Sequence, residues 1–277
     1  MFLNFLCKIV ARLARILSRY RGKPFTEAIE KLCSVFHRSL NNLDFNMERN
    51  GEGRVLRIIT NSQPQLIFDV GANVGEWSKL VSKMVPSCKI HAFEIVPSTY
   101  EQLLHATDSL SNVMQINYGL SSKEDMITIS LGKNSATATG CRIEGMSYHD
   151  NYYDQEIQCK TVKACTHMMD HKINNIDFVK IDVEGMDLQV IKGFEDQLQN
   201  VCAVQFEYGI FNISSHDLLA DFYNYLINSG FVVGKIYPRY VAFQEYHYNL
   251  ENFHGSNFLA VKSNEKELIS KLQSYSS

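Results

Sequence analysis

Apolar positions along this chain follow two regimes. Over the first forty residues they recur at helical spacing. Phe2, Phe5, Leu6, Ile9, Val10, Leu13, Ile16 and Leu17 share a face, with Lys8, Arg12, Arg15 and Arg19 on the other side. Pro24 and Thr26 open a second helix, with Ala28, Ile29, Leu32, Val35, Phe36 and Leu40 as its apolar face. After the polar stretch Asn41–Asn50, a third helix is expected over Arg54–Thr60, stopped by Gln63-Pro64. From Leu66 the pattern changes to short apolar runs alternating with helical segments, which predicts a parallel sheet with helices on both faces. Strands are expected at Leu66–Val70, Lys89–Glu94, Val113–Tyr118, Phe178–Val183, Ala203–Glu207, Phe231–Tyr237 and Phe258–Lys262. The helices between them are placed at Glu76–Met84, Ser98–Ala106, Met186–Lys192 and Ser215–Ser229. The fold expected is α/β: one doubly wound, Rossmann-like sheet of seven strands. The division expected is a helical extension over 1–60, the α/β domain over 61–265 and a tail over 266–277.

An insert, Ser121–Met169, separates the third strand from the fourth. It holds a strand-like MITISL, a small-residue run Asn134–Gly140 and the Tyr/Asp/His-rich stretch Tyr148–Asp154. This insert and the loop Pro238–Ser256 are expected to face substrate, because ligands of such folds sit beyond the carboxyl ends of the strands.

The first strand runs as LIFDVGANVGEWS into a loop bracketed by Gly71 and Gly75, and the second ends in HAFE at Glu94. Glycine lets a ligand lie against bare backbone, and an acid at Glu94 stands where such folds bind a ribose. The loop lacks both the middle glycine of a dinucleotide fingerprint and the Gly-Lys-Ser/Thr of a P-loop. A nucleoside ligand without phosphate fits better, and S-adenosylmethionine meets that description. Its amino-acid end could use the loop (Gly71, Ala72, Asn73, Gly75) and Asp69, its ribose Glu94, and its adenine the end of the third strand at Gly119–Ser121, around Leu120.

FDVGANVGEWS, HAFEIVPSTY, INYGLSS, DFVKIDVEGMDLQVIKG, VQFEY and NFLAV, in this order, resemble the FkbM family of S-adenosylmethionine-dependent methyltransferases from about Asn50 to Val261. The most specific piece is Lys180-Ile181-Asp182-Val183-Glu184-Gly185. The resemblance implies a methyltransferase sheet, methyl transfer to oxygen on a sugar or secondary metabolite, and cofactor roles for Asp69, Gly71, Asn73, Gly75 and Glu94. Two positions depart from the family. Asp187 stands where an acid with a longer side chain is common, and Cys165–Met169 where a Leu-Asp pair is common.

Methyl transfer to a hydroxyl needs alignment and a base or a metal at the acceptor. Lys180, Asp182 and Glu184 alternate on the fourth strand and so should share one side of it. Asp182 is the first choice for base or metal-ligating carboxylate, Glu184 the second, and Glu207 a candidate for binding acceptor hydroxyls; for Lys180, Asp182 and Glu184 the alternative is a structural ion-pair network that anchors the helix after Gly185. A divalent metal would be compatible with these carboxylates, but no spacing compels one. His167 and His171 read as one face of a solvated helix, His149 and His216 as alternative bases, and Tyr148, Tyr152 and Tyr153 as either a sugar platform or loop cover.

A net charge of −3 excludes a broadly basic nucleic-acid binder, and seven cysteines without a C-x-x-C pair point to reduced thiols and a cytoplasmic setting. The basic first helix is neither a signal peptide nor a span. Either it packs on protein or it lies in an anionic membrane surface, giving peripheral contact through residues 1–20 on the inner face. The alternatives to an enzyme acting on a hydroxyl-bearing small molecule or glycan are a catalytically silent binding or scaffold module of the same fold at a membrane assembly, and an NAD-dependent oxidoreductase disfavoured by the missing glycine.

Overall fold

The computed structural model describes residues 2–132, 138–139 and 153–275. The chain forms two compact units, Met1–Asp44 and Phe45–Ser277. In the first, α1 spans Phe2–Leu17 and α2 spans Pro24–Leu40. Pro24 opens α2, where its missing N–H costs nothing, and the Thr26 hydroxyl bonds the Tyr20 and Lys23 carbonyls of the turn before it.

The second unit begins with α3 (Glu52–Asn61), followed by β1 (Leu66–Val70), α4 (Glu76–Met84), β2 (Lys89–Phe93), α5 (Pro97–Thr107) and β3 (Val113–Ile116). The insert then supplies β4 (Gly119–Ser121), β5 (Asp125–Gly132), β6 (Ala138–Thr139), β7 (Tyr153–Lys163) and α6 (Ala164–Asp170). The remainder is β8 (Ile176–Ile181), α7 (Asp187–Lys192), β9 (Val201–Tyr208), α8 (Leu219–Asn228), β10 (Phe231–Tyr237), β11 (Tyr240–Phe243), β12 (Ser256–Lys262) and α9 (Lys266–Gln273).

The large sheet runs β11-β10-β12-β9-β8-β1-β2-β3. It is parallel from β3 to β9, and β12, β10 and β11 pair antiparallel at the other end. Chain order reverses between β1 and β8, which makes a crevice at their carboxyl ends. Eight strands replace the seven expected. The extra one, β11, lies inside the stretch read as loop Pro238–Ser256, because a tight turn after Tyr237 folds four residues back onto β10. A second sheet, β4-β7-β5-β6, was legible only through MITISL, which is part of β5.

Alternation along β1 and β8 sends Phe68, Val70, Val179 and Ile181 to one face and Ile67 and Phe178 to the other, so two cores form. The first core is closed by α6, α7 and α8, the second by α3, α4 and α9. Val55, Leu56 and Ile59 of α3 are buried in the second core. The Arg54 guanidinium also donates to the carbonyls of Lys271, Leu272 and Ser274 at the end of α9, where orphan carbonyls favour a cation. Helices assigned from sequence to the lead-in and the tail thus pack in the second compact unit.

Candidate active site

β1 ends in Asp69-Val70, and three features turn the chain into α4. Gly71, Asn73 and Gly75 all have positive φ (+83°, +49°, +81°), a region costly for most L-residues. The Gly71 and Ala72 N–H groups both donate to the Phe93 carbonyl, tying the loop to β2. A Cβ on Gly71 would fall 1.9 Å from the Asp182 carbonyl oxygen, so this position requires glycine. Glu94 follows β2 and is buried. One carboxylate oxygen accepts the Asn73 N–H at 2.9 Å and the other the Val96 N–H at 2.9 Å. Burial pushes its carboxyl up, against the pull of these two N–H groups.

A cavity of about 360 Å³ opens here. The glycine loop (Gly71, Ala72, Asn73), Glu94 and Leu120 line it, joined across the crevice by Lys180, Asp182 and Glu184. Ile127 and Ile129 of β5 and Thr161 of β7 make the small sheet a further wall. The size suits a nucleoside-sized ligand. The Glu94 carboxylate, with about four lone-pair sites, keeps acceptor capacity beyond its backbone N–H partners for a ribose hydroxyl, and the bare Gly71 backbone leaves room for a ligand chain, so the residues fit S-adenosylmethionine.

Asp69 and Gly75 lie outside this wall. Asp69 is fully buried behind it, where Oδ2 accepts the Ser78 hydroxyl at 2.6 Å and Oδ1 lies 3.8 Å from Lys180 Nζ. Asp69, Lys180 and Gln205 are consecutive in-register partners on β1, β8 and β9, a polar row on one face of the sheet. Lys180 Nζ also reaches Asp182 Oδ2 at 3.1 Å. Burial pulls the ammonium down, but Asp182 and Asp69 more than offset it, so it stays charged.

The alternation expected for Lys180, Asp182 and Glu184 ends early. β8 stops at Ile181, Glu184 has φ +53° and Gly185 φ +96°, so Glu184 enters the cavity from a turn, not from a strand. Burial, with Asp182 and Asp187 as negative neighbours, pushes Glu184 up to about 8. Asp187 opens α7 and accepts the Glu207 N–H at 3.0 Å; burial raises its carboxyl to about 7. Glu207 does not line the cavity. Burial and four acids (Asp182, Glu184, Asp187 and Glu52) push its carboxyl well up.

The histidine reading is corrected. His167 is fully buried, its Nε2 2.9 Å from His91 Nδ1 and its Nδ1 2.7 Å from the Tyr118 hydroxyl, among Phe68 and Phe93. His216 is exposed and off the cavity, and Tyr153 is buried in β7, so it offers no stacking platform. His149, Tyr148, Tyr152 and Cys141 lie outside the described residues, as does Asn134–Gly140 apart from 138–139. Among the described residues no group of three or more His, Cys, Asp or Glu is arranged to hold a metal ion. Sequence reasoning missed Trp77, Ile127, Ile129 and Thr161. Trp77 sits two residues past Gly75 with Lys180 Nζ 5.9 Å from its ring centroid, and the isoleucines alternate visibly in MITISL.

A doubly wound sheet with a ribose-type acid and a glycine loop at its crevice defines a nucleoside-binding α/β fold. The chain belongs to the methyltransferase FkbM domain family, whose model matches residues 69–233. It is 27% identical over 154 residues to the hexuronic acid methyltransferase AglP of Haloferax volcanii, covering 54% of this chain and 59% of that one. It is also 27% identical over 157 residues to the methyltransferase sdnD of Sordaria araneosa, covering 47% and 61%. The matches thus span about six tenths of the length of these relatives. Among solved structures, the O-methyltransferase TomG of Streptomyces achromogenes overlays with a TM-score of 0.42 at 12% identity, covering 76% of this chain and 79% of that one.

Proposed function

We propose that this cavity holds S-adenosylmethionine and that the protein methylates an aliphatic hydroxyl of a sugar, glycan or secondary metabolite. The observation that carries the reading is that Asp182 and Glu184 line the same cavity as Gly71, Asn73, Glu94 and Leu120. When bound, the cofactor supplies an electrophilic methyl group on its sulfonium. Glu94 holds the ribose diol, the Gly71–Asn73 backbone the amino-acid end, and Leu120 with Ile127 and Ile129 the adenine. Asp69 and Ser78 act from behind the wall by fixing Lys180 and the start of α4.

Asp182 takes the acceptor's proton, and Lys180 orients its carboxylate from 3.1 Å. The Asp182 side chain is 45% exposed, which suits a group that must meet an incoming acceptor. Glu184 is a second candidate base, since it lines the same cavity from its turn, and a carboxyl that burial pushes up to about 8 matches an alcohol's proton better than an ordinary carboxylate does. The hexuronic acid specificity in the name of one relative supports a sugar acceptor.

The test is Asp182→Asn, examined by calorimetric titration with S-adenosylmethionine and by a methyl-transfer screen against uronic acids, nucleotide sugars and glycans. Cofactor affinity is expected to hold while turnover falls by about 100-fold or more. Unchanged turnover would pass the base role to Glu184, read directly in Glu184→Gln. Cofactor binding with no transfer to any acceptor would favour the silent-module alternative.

A further inference from the structure

Through residue 26 the chain carries six cations, Lys8, Arg12, Arg15, Arg19, Arg21 and Lys23, and no acid; Glu27 is the first. At about 100° per residue, Phe5, Ile9, Leu13 and Ile16 of α1 form one stripe. Lys8, Arg12 and Arg15 follow one flank of it, and Cys7, Ala11 and Ala14 lie opposite. The stripe is bare: Phe5, Ile9, Val10, Leu13 and Ile16 are 45–62% exposed. No residue of α2 is buried, and its Phe25, Leu32, Val35, Phe36 and Leu40 are 50–77% exposed. The opposite side of α2 carries Glu27, Glu30, Lys31 and Arg38, whose charges cancel.

We propose that α1 and α2 together form an in-plane anchor for an anionic phospholipid surface, with α1 supplying the charge selectivity and α2 charge-neutral apolar area. An apolar surface of this extent marks an interaction site. The acid-free cationic flank beside it selects an occupant that is both apolar and uniformly negative. Arginine and lysine stems can lie along the apolar boundary while their heads reach phosphate. A second copy of the chain would instead bring six cations against six. No helix among the described residues is long and apolar enough to cross a membrane, so the helices lie in the interface. The inference rests on the first compact unit and is independent of the methyl-transfer reading.

The full chain is tested by co-sedimentation with phosphatidylcholine vesicles with and without phosphatidylglycerol, over a salt series. The protein is expected to partition onto the anionic vesicles and to be released as salt rises. Arg12→Glu/Arg15→Glu should lower anionic partition by about tenfold or more and flatten the salt dependence. Leu32→Ser/Phe36→Ser, both exposed positions, should weaken binding to both vesicle types while leaving the salt dependence unchanged. Circular dichroism checks that each variant keeps its helices. Equal binding to both vesicle types, no binding, or a Leu32→Ser/Phe36→Ser protein that binds like the parent would overturn the proposal. So would concentration-dependent dimerisation abolished by the same substitutions, which would assign the surface to a second copy.

Discussion

The backbone of Gly71 lies against that of Asp182: a Cβ on the glycine would meet the Asp182 carbonyl oxygen at 1.9 Å, and the Asp182 N–H donates to the carbonyl of neighbouring Val70 at 2.9 Å. The loop proposed to hold the methyl donor and the acid proposed to deprotonate the acceptor are therefore positioned by one contact. Gly71→Ala should displace both, with a stability loss of more than about 2 kcal/mol and loss of cofactor binding. Gly75 has a similar φ, but its Cβ would meet the flexible end of Leu103, so Gly75→Ala should cost less, about 1–2 kcal/mol. Urea midpoints of the two variants check the ordering.

Lys180 is the cation nearest to fully buried Asp69 and also holds Asp182. Lys180→Met should destabilise the protein by about 3–5 kcal/mol, because it strands the Asp69 carboxyl. Asp182→Asn leaves the Lys180–Asp69 pair in place, and its melting temperature should stay close to the parent's. Thermal unfolding of both separates a structural loss from a catalytic one.

Glu184, raised to about 8, binds a proton more tightly folded than unfolded, where the carboxyl titrates near 4.5. Its contribution to stability is complete below pH 4.5 and is lost as pH rises through 8. Glu184→Gln keeps a neutral side chain throughout. Relative to the parent it should gain stability progressively between these limits, by a few kcal/mol at most. Urea unfolding across that range measures the gain. A flat difference would mean that Glu184 is ionised in the folded protein.

The buried histidines have the opposite sign. Burial first, then neighbouring histidines, lower His91 to about 4 and His167 to about 3. The unfolded chain takes up protons near 6.5 while the folded one does not, so stability is complete above that pH and falls as pH drops toward 4. Between pH 7.5 and pH 5 the loss should be about 2 kcal/mol per histidine, read as a falling urea midpoint.

Local chemistry was legible in the sequence, and long-range pairing was not. Gly71, Ala72, Asn73, Glu94, Leu120, Asp182 and Glu184 belong to short motifs, and all line the same cavity, whereas Gly75 of the same loop does not. Asp69 was legible as a residue but not as one behind the wall, because its partners Ser78 and Lys180 come from α4 and β8. His167 was misread because helical spacing gives a face but not its surroundings; its partner His91 is 76 positions away, on β2. In β7, Ile157, Cys159 and Thr161 alternate with Gln158 and Lys160, the period of a half-buried strand, but the small Cys159 and the polar Thr161 make it a weak apolar stripe. β11 escaped because four residues are too few to carry one.

The central claim, that Asp182 serves methyl transfer to a hydroxyl, is tested most directly by supplying labelled S-adenosylmethionine with a hexuronic acid glycoside and treating the product with mild base. Label should be retained in a base-stable methyl ether, made by the parent protein and not by Asp182→Asn. Label released as methanol from a base-labile ester, or made equally by both proteins, would contradict it.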